Sequence, residues 1–321
     1  MVFPIPQRDL EGWFTTRWLY YHLHVDSITP SFGIVHPQVV ECLRRIPGWR
    51  LDEAEGHKSI TVVGDDEASR SEDGRFAVLS RWRGEVNPIL GPDSEVLFSV
   101  ERAAAAMLGI VQYGIHLSTA CLQLRRRNKT PSICISKRSQ NIANYSGILD
   151  NTVAGGYRTG EDPLQTVIRE AEQEASIPAS LVRSSARPCG TISYFNYLDK
   201  YFTGEKYLVQ PEVEYMYKME APEGLVPRPN DDEVEWFQLW DTDKIKDGLA
   251  QGLFEPSYAL VLLDFFIRHS VLDTMSEPYY AEIVAGLHRF WNSLSDGIND
   301  HEGSGDIFAI EIAFCRGRLS I

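Results

Sequence analysis

A glycine-rich loop runs directly into a strongly marked helix near the middle of the chain, over Gly155–Ile177. Asp162 is a residue type that caps helices, Pro163 suits the first helical position, and Gln165 stands where a capping box places Glu or Gln. The pattern predicts a helix over Asp162–Ala175 whose apolar stripe faces the core. That stripe consists of Leu164, Ile168, Ala171 and Ala175.

Acid-type side chains occupy another face of the same helix. Glu170, Gln173 and Glu174 lie at positions i, i+3 and i+4, so their oxygen atoms converge. Ionised carboxylates this close repel one another unless a cation lies between them, and Mg²⁺ prefers such oxygen ligands together with substrate phosphates. The competing interpretation is a solvated helix face that happens to carry glutamates.

The spacing of the whole stretch resembles the Nudix box, G-x5-E-x7-R-E-U-x-E-E-x-G-U, in which U is apolar. Two positions depart from it, because Gln173 replaces the first glutamate of the Glu-Glu pair and Ser176 replaces the glycine. The resemblance implies an α/β fold, namely a Nudix α/β/α sandwich with a mixed sheet. The fixed positions that match are Gly155, Glu161, Arg169, Glu170 and Glu174.

Further motifs resemble one subgroup, the plant and fungal Nudix proteins with a family-specific N-terminal domain, which are related to the Nudix half of fungal thiamine pyrophosphokinases. For that subgroup the resemblance implies cleavage of thiamine diphosphate, or of an oxidised analogue, to the monophosphate. The subgroup usually has Lys and Pro just before Gly147, whereas Ile142–Ser146 stands here, which questions the substrate contact at that point. The matching motifs are Arg102–Leu117, Lys137–Ser139, Gly147–Gly156 and Ile267–His269.

The resemblance also assigns metal ligands. Glu170 and Glu174 would hold Mg²⁺, or Mn²⁺ in its place, with Glu174 nearest to the attacking water. Gln173 would ligate through an uncharged amide oxygen, which weakens binding of a further ion. The backbone at Gly155 would approach the metal closely, since glycine permits such an approach.

Supporting roles follow from the same resemblance. Arg169 and Glu161 would form an ion pair that orients the helix and the loop, and Gly156 would approach the phosphates. A further catalytic glutamate is expected from the acidic turn that precedes a strand, where Glu233 is preferred over Glu235. A solvated acidic turn is the alternative.

Three residues outside the box have competing interpretations. Arg138, at a strand end, would grip a phosphate with its planar fork or form a surface ion pair. Trp82 would line the pocket for the organic half of the substrate or belong to the core. His116 lies in an apolar run and is interpreted as a core histidine.

The elements divide the chain into three parts. Residues 1–112 are expected to form a smaller, family-specific α+β domain, residues 113–272 the Nudix hydrolase domain, and residues 273–321 a C-terminal helix and tail. In the first part we predict helices over Pro37–Arg45 and Glu101–Ile110 and a strand over Phe76–Ser80. In the rest we predict strands over Ile115–Leu124, Ser132–Ser136, Thr191–Tyr197, Glu212–Met219 and Val234–Leu239, and helices over Ser257–His269 and Tyr279–Leu294.

The composition narrows the classes of partner. In 321 residues, 45 Asp and Glu against 31 Lys and Arg give a net charge of −14. So acidic a chain repels nucleic acid backbones and anionic membranes, and no segment has the roughly 18 apolar residues that span a bilayer. We expect a small-molecule diphosphate as partner, with no nucleic acid and no membrane.

Location and assembly are predicted with less detail. The five cysteines include no C-x-x-C pair and are interpreted as reduced thiols. The N-terminus lacks the pattern of a secretory signal, so a cytoplasmic protein is expected, as a monomer or homodimer.

The functional prediction is Mg²⁺-dependent hydrolysis of a small organic diphosphate, with thiamine diphosphate or an oxidised analogue as first choice. One alternative keeps the chemistry and changes the substrate to an isoprenoid or other diphosphate of specialised metabolism. The other is a Nudix-fold protein that binds a ligand without hydrolysing it. The departures at Gln173 and Ser146 and the missing Lys motivate the change of substrate.

Overall fold

The computed structural model contains two compact units. One contains the described residues as far as Gln112 together with those of 195–212, and the other contains residues 113–194 and those from Val213 onward. The residues described are 20–25, 28–53, 58–63, 79, 82, 84–91, 93–121, 132–197, 208–222 and 224–288.

The first unit is built on a four-stranded sheet in the order β2-β1-β4-β3. Strands β1 and β4 are parallel, and the other neighbours are antiparallel. A separate hairpin pairs β5 with β6. The strands are β1 (Tyr21–Val25), β2 (Ile28–Val35), β3 (Trp49–Asp52), β4 (Ser59–Val62), β5 (Val86–Leu90) and β6 (Val96–Glu101).

Two helices of this unit are shorter than predicted. Helix α1 spans Pro37–Leu43, and helix α2 spans only Arg102–Ala105 instead of Glu101–Ile110. The chain leaves the helical conformation before Gly109, whose φ of 56° is left-handed. The predicted strand over Phe76–Ser80 lies outside the described residues, apart from Leu79.

The second unit is built on a seven-stranded sheet whose main order is β11-β12-β7-β8-β13. The short strand β10 pairs with the N-terminal half of β7, and β8 pairs with its C-terminal end. The glycine loop therefore starts from an edge of the sheet. The strands are β7 (Gln112–Cys121), β8 (Ser132–Arg138), β9 (Leu149–Asp150), β10 (Val153–Gly156), β11 (Arg187–Tyr197), β12 (Val209–Glu220) and β13 (Val234–Trp240).

Helices cover both faces of this sheet. Neighbouring residues of β12 point to opposite faces, so Met216 packs in the core that contains α6 and Tyr217 in the core that contains α3. The predicted α/β/α sandwich is therefore confirmed. The helices are α3 (Pro163–Ala175), α4 (Ala179–Ser185), α5 (Thr242–Ala250), α6 (Pro256–Arg268) and α7 (Tyr280–Gly286).

Helix α7 starts one residue later than predicted and ends at Gly286, while residues after 288 lie outside the described part of the chain. Cys42, Cys134 and Cys189 are free thiols. Among the described residues, no helix combines the length and the apolar character required to cross a bilayer.

Candidate active site

Helix α3 begins with the predicted capping box. The side chain of Asp162 accepts a hydrogen bond from the backbone N–H of Gln165, and the side chain of Gln165 accepts one from the N–H of Asp162, each at 2.9 Å. Pro163 follows as the first helical residue. Two otherwise unpaired N–H groups are thereby satisfied, and the helix is fixed in its direction relative to the glycine loop.

The predicted ion pair joins the glycine loop to the middle of α3. Nε and Nη2 of Arg169 donate to the two carboxylate oxygens of Glu161 at 2.8 and 3.1 Å, and Thr166 donates to the same carboxylate at 2.7 Å. Nη2 of Arg169 also lies 3.3 Å from the carbonyl oxygen of Gly156. Burial raises the pKa of Glu161, but the hydrogen bonds from Arg169 and Thr166 outweigh it, so this pKa lies below its usual value.

Glu170 lies directly against the glycine loop. Its side chain is buried, and Oε1 accepts a hydrogen bond from Nη1 of Arg169 at 2.6 Å. A Cβ at position 155 would lie within 3.0 Å of Oε1, Cδ and Cγ of Glu170. Glycine at position 155 is therefore required for the carboxylate of α3 to reach the loop backbone.

Glu174 is the most strongly perturbed acid of this site. Its Oε2 accepts a hydrogen bond from the N–H of Ala154 at 3.3 Å. Burial raises its pKa well above the usual value, and the negative charges of Glu170, Asp150 and Glu233 raise it further. Three carboxylates, from α3, β9 and the loop before β13, thus act on Glu174.

This donor set suits a hard divalent cation, because it consists of oxygen atoms whose mutual repulsion a cation would relieve. Glu170 and Glu174 are the two carboxylates that would hold the ion. Within the part of the chain that the structure describes, no three acidic, histidine or cysteine side chains already converge as a complete metal cage. The backbone at Gly155 stays the predicted third donor.

Gln173 lies apart from this cluster. Its side chain and that of Glu172 are exposed, whereas Glu170 is buried and Glu174 half-buried. The structure therefore does not bring Gln173 together with the other predicted ligands, and its role as a metal ligand remains a prediction.

The loop before β13 is tied to the C-terminal end of α3. The N–H groups of Arg228 and Asn230 donate to the carbonyl oxygens of Ala175 and Glu174 at 3.0 and 3.3 Å. The amide of Asn230 also donates to the carbonyl of Glu172 at 3.1 Å. These bonds satisfy carbonyls that a helix end leaves unpaired. Sequence reasoning missed Asn230, which has no local signal.

The same loop distinguishes the two candidate glutamates. Glu233 is exposed, and its charge acts on Glu174. Glu235 instead forms an ion pair with Lys137 on the neighbouring strand at 2.9 Å. Glu233 is therefore the one that joins the acidic cluster, in line with the preference from sequence.

The guanidinium group of Arg138 binds other groups of the protein. Nη1 forms an ion pair with Asp150 at 2.5 Å, and Nη2 donates to the carbonyl of Asn144 at 3.3 Å. The ion-pair interpretation is thus the one seen, although Asp150 is buried and the pair is not on the surface. The predicted contact of Arg138 with a phosphate remains a prediction, and its Nε is buried without a hydrogen-bond partner.

Glu255 was not predicted and lies near the same pair. It caps α6 by accepting a hydrogen bond from the N–H of Tyr258 at 2.9 Å. Burial raises its pKa to about 7, and the negative charge of Asp150 adds to this effect. No sequence pattern marks Glu255 as different from other helix caps.

We expect Glu255→Gln to flatten the pH dependence of stability in the metal-free protein. A carboxyl whose pKa is raised in the folded state stabilises the fold below its unfolded pKa of about 4.3, and this contribution is lost as the pH rises through 7. Chemical unfolding in a chelator at pH 4.5 and pH 7.5 measures the loss, which should be smaller in the variant by at least about 1 kcal/mol. Glu220→Gln, at an exposed position, should lose as much stability between the two pH values as wild type does. An equal loss in all three proteins would contradict the expectation.

Two further sequence interpretations can be compared with the structure. Trp82 is 47% exposed in the first unit, so its interpretation as a core residue is wrong, and its role at a substrate pocket remains a prediction. His116 is 4% exposed, so its interpretation as a core histidine is confirmed. Burial lowers the pKa of His116 to about 4, so the ring is neutral near pH 7.

Comparison with known proteins decides the family. The profile of the NUDIX domain matches residues 114–256. Nudix hydrolase 20, chloroplastic, of Arabidopsis thaliana is 31% identical over 265 residues, which cover 77% of this chain and 68% of that protein. The chain belongs to the Nudix hydrolase family.

Two further proteins are similar to this chain over a smaller part of its length. An uncharacterized protein of Saccharomyces cerevisiae is 34% identical over 199 residues, and the chain spans just over half of that relative, 56%. A solved structure from Deinococcus radiodurans is 17% identical with a TM-score of 0.38, over 53% of this chain and 91% of that one. Nudix hydrolases act on small molecules that contain a diphosphate and generally use divalent metal ions.

Ser176, which stands where the Nudix box has glycine, lies in a backbone conformation that favours glycine. Ser176 ends α3 in the left-handed conformation, with φ 54° and ψ 30°. A residue with a Cβ is strained there, whereas glycine is not. The glycine of the family pattern thus corresponds to a helix end that requires a positive φ.

Ser176→Gly should raise the free energy of unfolding by about 0.5–1 kcal/mol, with activity unchanged because the side chain is exposed. Thermal and urea unfolding measure the effect. Ser180→Gly is the matched control, since Ser180 is an exposed residue inside α4 and should lose about 0.5–1 kcal/mol. A loss of stability in both variants would show that the left-handed strain is negligible.

Proposed function

We propose that this chain hydrolyses small organic diphosphates to the monophosphate and phosphate, with Mg²⁺ as cofactor and Mn²⁺ as a substitute. The observation that carries the proposal is the acidic pair of α3. Glu170 lies against the glycine loop, and Glu174 is held at Ala154 with a strongly raised pKa. Carboxylates concentrated in this way favour a bound divalent cation over a solvated helix face.

Each element of the site has a part in this chemistry. A bound divalent ion would neutralise phosphoryl oxygens and lower the pKa of a water molecule. Glu174 would take the proton of the attacking water at a carboxylate oxygen. Arg169 holds Glu161 and Glu170 in place, so that the loop and the helix keep a fixed spacing. The backbone of Gly155 and Gly156 leaves room for the phosphates.

For the organic half, thiamine diphosphate or an oxidised analogue is the first choice. The support is the resemblance of motifs on both sides of the box, such as Gly147–Gly156 and Ile267–His269, to the subgroup with that activity. Similarity to Nudix hydrolase 20 of Arabidopsis, which covers 77% of this chain, also extends beyond the Nudix domain.

The experiment is turnover of a substrate panel. The protein is incubated with Mg²⁺ and thiamine, oxothiamine, isoprenoid and nucleoside diphosphates, and products are identified by mass spectrometry. We expect thiamine-type monophosphates as the main products, with no turnover in a chelator. Turnover confined to isoprenoid diphosphates would overturn the proposed thiamine-type substrate but would still support diphosphate hydrolysis.

The second candidate is a protein that binds such a ligand without hydrolysing it. The observation in its favour is Gln173, an uncharged and exposed side chain where the family has glutamate. Gln173→Glu restores the family charge and should tighten Mg²⁺ binding if the site is catalytic. No turnover of any compound in either protein, together with unchanged Mg²⁺ binding, would favour the binding protein.

A further inference from the structure

A cavity lies away from the acidic cluster, near the C-terminal end of α6. It has a volume of about 380 Å³ and is lined by β11, β12 and the C-terminal part of α6. Its apolar surface comes from Met216, Val261 and Phe265. A volume of this size accommodates a small organic ligand.

The two sites are separated by the length of a helix. Glu255, which interacts with Asp150, caps the N-terminus of α6, whereas Arg268 is the last residue of this 13-residue helix. At 1.5 Å per residue the two ends are roughly 20 Å apart. The cavity is therefore distinct from the proposed diphosphate site.

Three basic side chains line this cavity. Lys218 comes from β12, and Arg268 and His269 come from the end of α6. The His269 ring stacks on Phe265, with ring centroids 4.2 Å apart. Burial lowers the pKa of His269, and the charges of Lys218 and Arg268 lower it further. The positive charges of Lys218 and Arg268 thus both act on the His269 ring.

Asp264 offsets one of these charges, because Arg268 forms an ion pair with it and also donates to the carbonyl of Cys189. Lys218 supplies the remaining positive charge. Basic residues at a helix C-terminus are also favoured by the helix dipole, which accounts for Arg268 and His269. It does not account for Lys218, an exposed residue of a different element, in a chain whose net charge is −14.

We propose that this cavity binds a small anionic ligand with a flat apolar body, such as an aryl carboxylate, sulfonate or phosphate. The apolar body lies on Met216 and Phe265. The anionic group lies at the rim, where Lys218 neutralises it. This site is independent of the diphosphate site and needs no metal ion.

The test uses a matched pair of fluorescent probes in a chelator. 1-Anilinonaphthalene-8-sulfonate carries the anionic group, and N-phenyl-1-naphthylamine has the same aromatic body without it. Lys218→Glu should weaken binding of the sulfonate at least tenfold and change binding of the neutral probe less than twofold. Lys246→Glu, the same charge change on α5 outside the cavity, should change neither. Equal effects of the two variants on the sulfonate, or no binding of it, would overturn the proposal.

A chemical footprint locates the probe. Cys189 lines the cavity, whereas Cys42 belongs to the first unit. Saturating sulfonate should slow alkylation of Cys189 by iodoacetamide at least fivefold and leave Cys42 unchanged, as measured by peptide mass spectrometry. This readout uses the unaltered protein, so it does not depend on the folding of any variant. Unchanged alkylation of Cys189 would show that the probe binds elsewhere and would overturn the proposal.

Discussion

Glu174→Gln should lower kcat on a diphosphate substrate by about 10²–10⁴-fold and, at the same time, stabilise the metal-free protein. The first effect follows because the amide cannot take a proton from water and is a weaker metal ligand. The second follows because a half-buried carboxylate beside Glu170, Asp150 and Glu233 is costly when ionised. Opposite signs for activity and stability are typical of a functional carboxylate held against repulsion.

The stability effect has a defined pH dependence. The pKa of Glu174 is raised in the folded state, so protonation stabilises the wild-type fold at low pH and the benefit is lost as the pH rises. In a chelator, the variant should exceed wild type by about 1 kcal/mol or more at pH 8 and by little at pH 4.5. Urea unfolding at the two pH values measures this difference.

The control for this prediction is Glu172→Gln. Glu172 is exposed on the same helix, so the variant should retain wild-type kcat and stability. With Mg²⁺ present, the thermal midpoint of wild type should rise, whereas that of Glu174→Gln should rise much less. Full activity in Glu174→Gln, or a loss of stability in the chelator, would remove Glu174 from the site.

Gly155→Ala should have the second largest effect, because its methyl group would occupy space that Glu170 already fills. The overlap involves Oε1, Cδ and Cγ of Glu170. This side chain cannot swing away freely, since Arg169 holds its Oε1. We expect a loss of about 1–3 kcal/mol in the free energy of unfolding and a loss of roughly 10²-fold in kcat/KM from the displaced carboxylate.

A double-mutant cycle checks the cause of that loss. In a Glu170→Ala background the methyl group has space, so Gly155→Ala should cost less than about 0.5 kcal/mol there. Urea unfolding of the four proteins gives the coupling, and activity is not needed. A penalty of the same size in both backgrounds would place the strain in the loop backbone.

Local sequence signals predicted the features that depend on neighbouring residues. The capping box of α3 joins residues three apart, and the ion pair of Arg169 with Glu161 spans eight. The capping box follows from helical geometry, whereas the ion pair is what the resemblance to the Nudix box implied. The alternation of strand residues similarly predicted most strands of the second unit.

Features that depend on distant pairing could not be predicted in this way. Arg138 meets Asp150 only because β8 pairs with β9, and Glu235 is drawn to Lys137 by the register of β13 against β8. The exposure of Gln173 and of Trp82 depends on which surfaces other elements cover. None of these partners has a fixed spacing in the sequence.

The tether between Asn230 and the end of α3 has a consequence for folding kinetics. The capping box can form early, because it closes over three residues, whereas the tether closes over 58. The carboxylates of Glu174 and Glu233 therefore approach each other late, after most of the fold has formed. Repulsion that arises after the transition state for folding mainly increases the unfolding rate. Neutralising Glu174, or binding a cation, should lengthen the lifetime of the folded protein more than it accelerates folding.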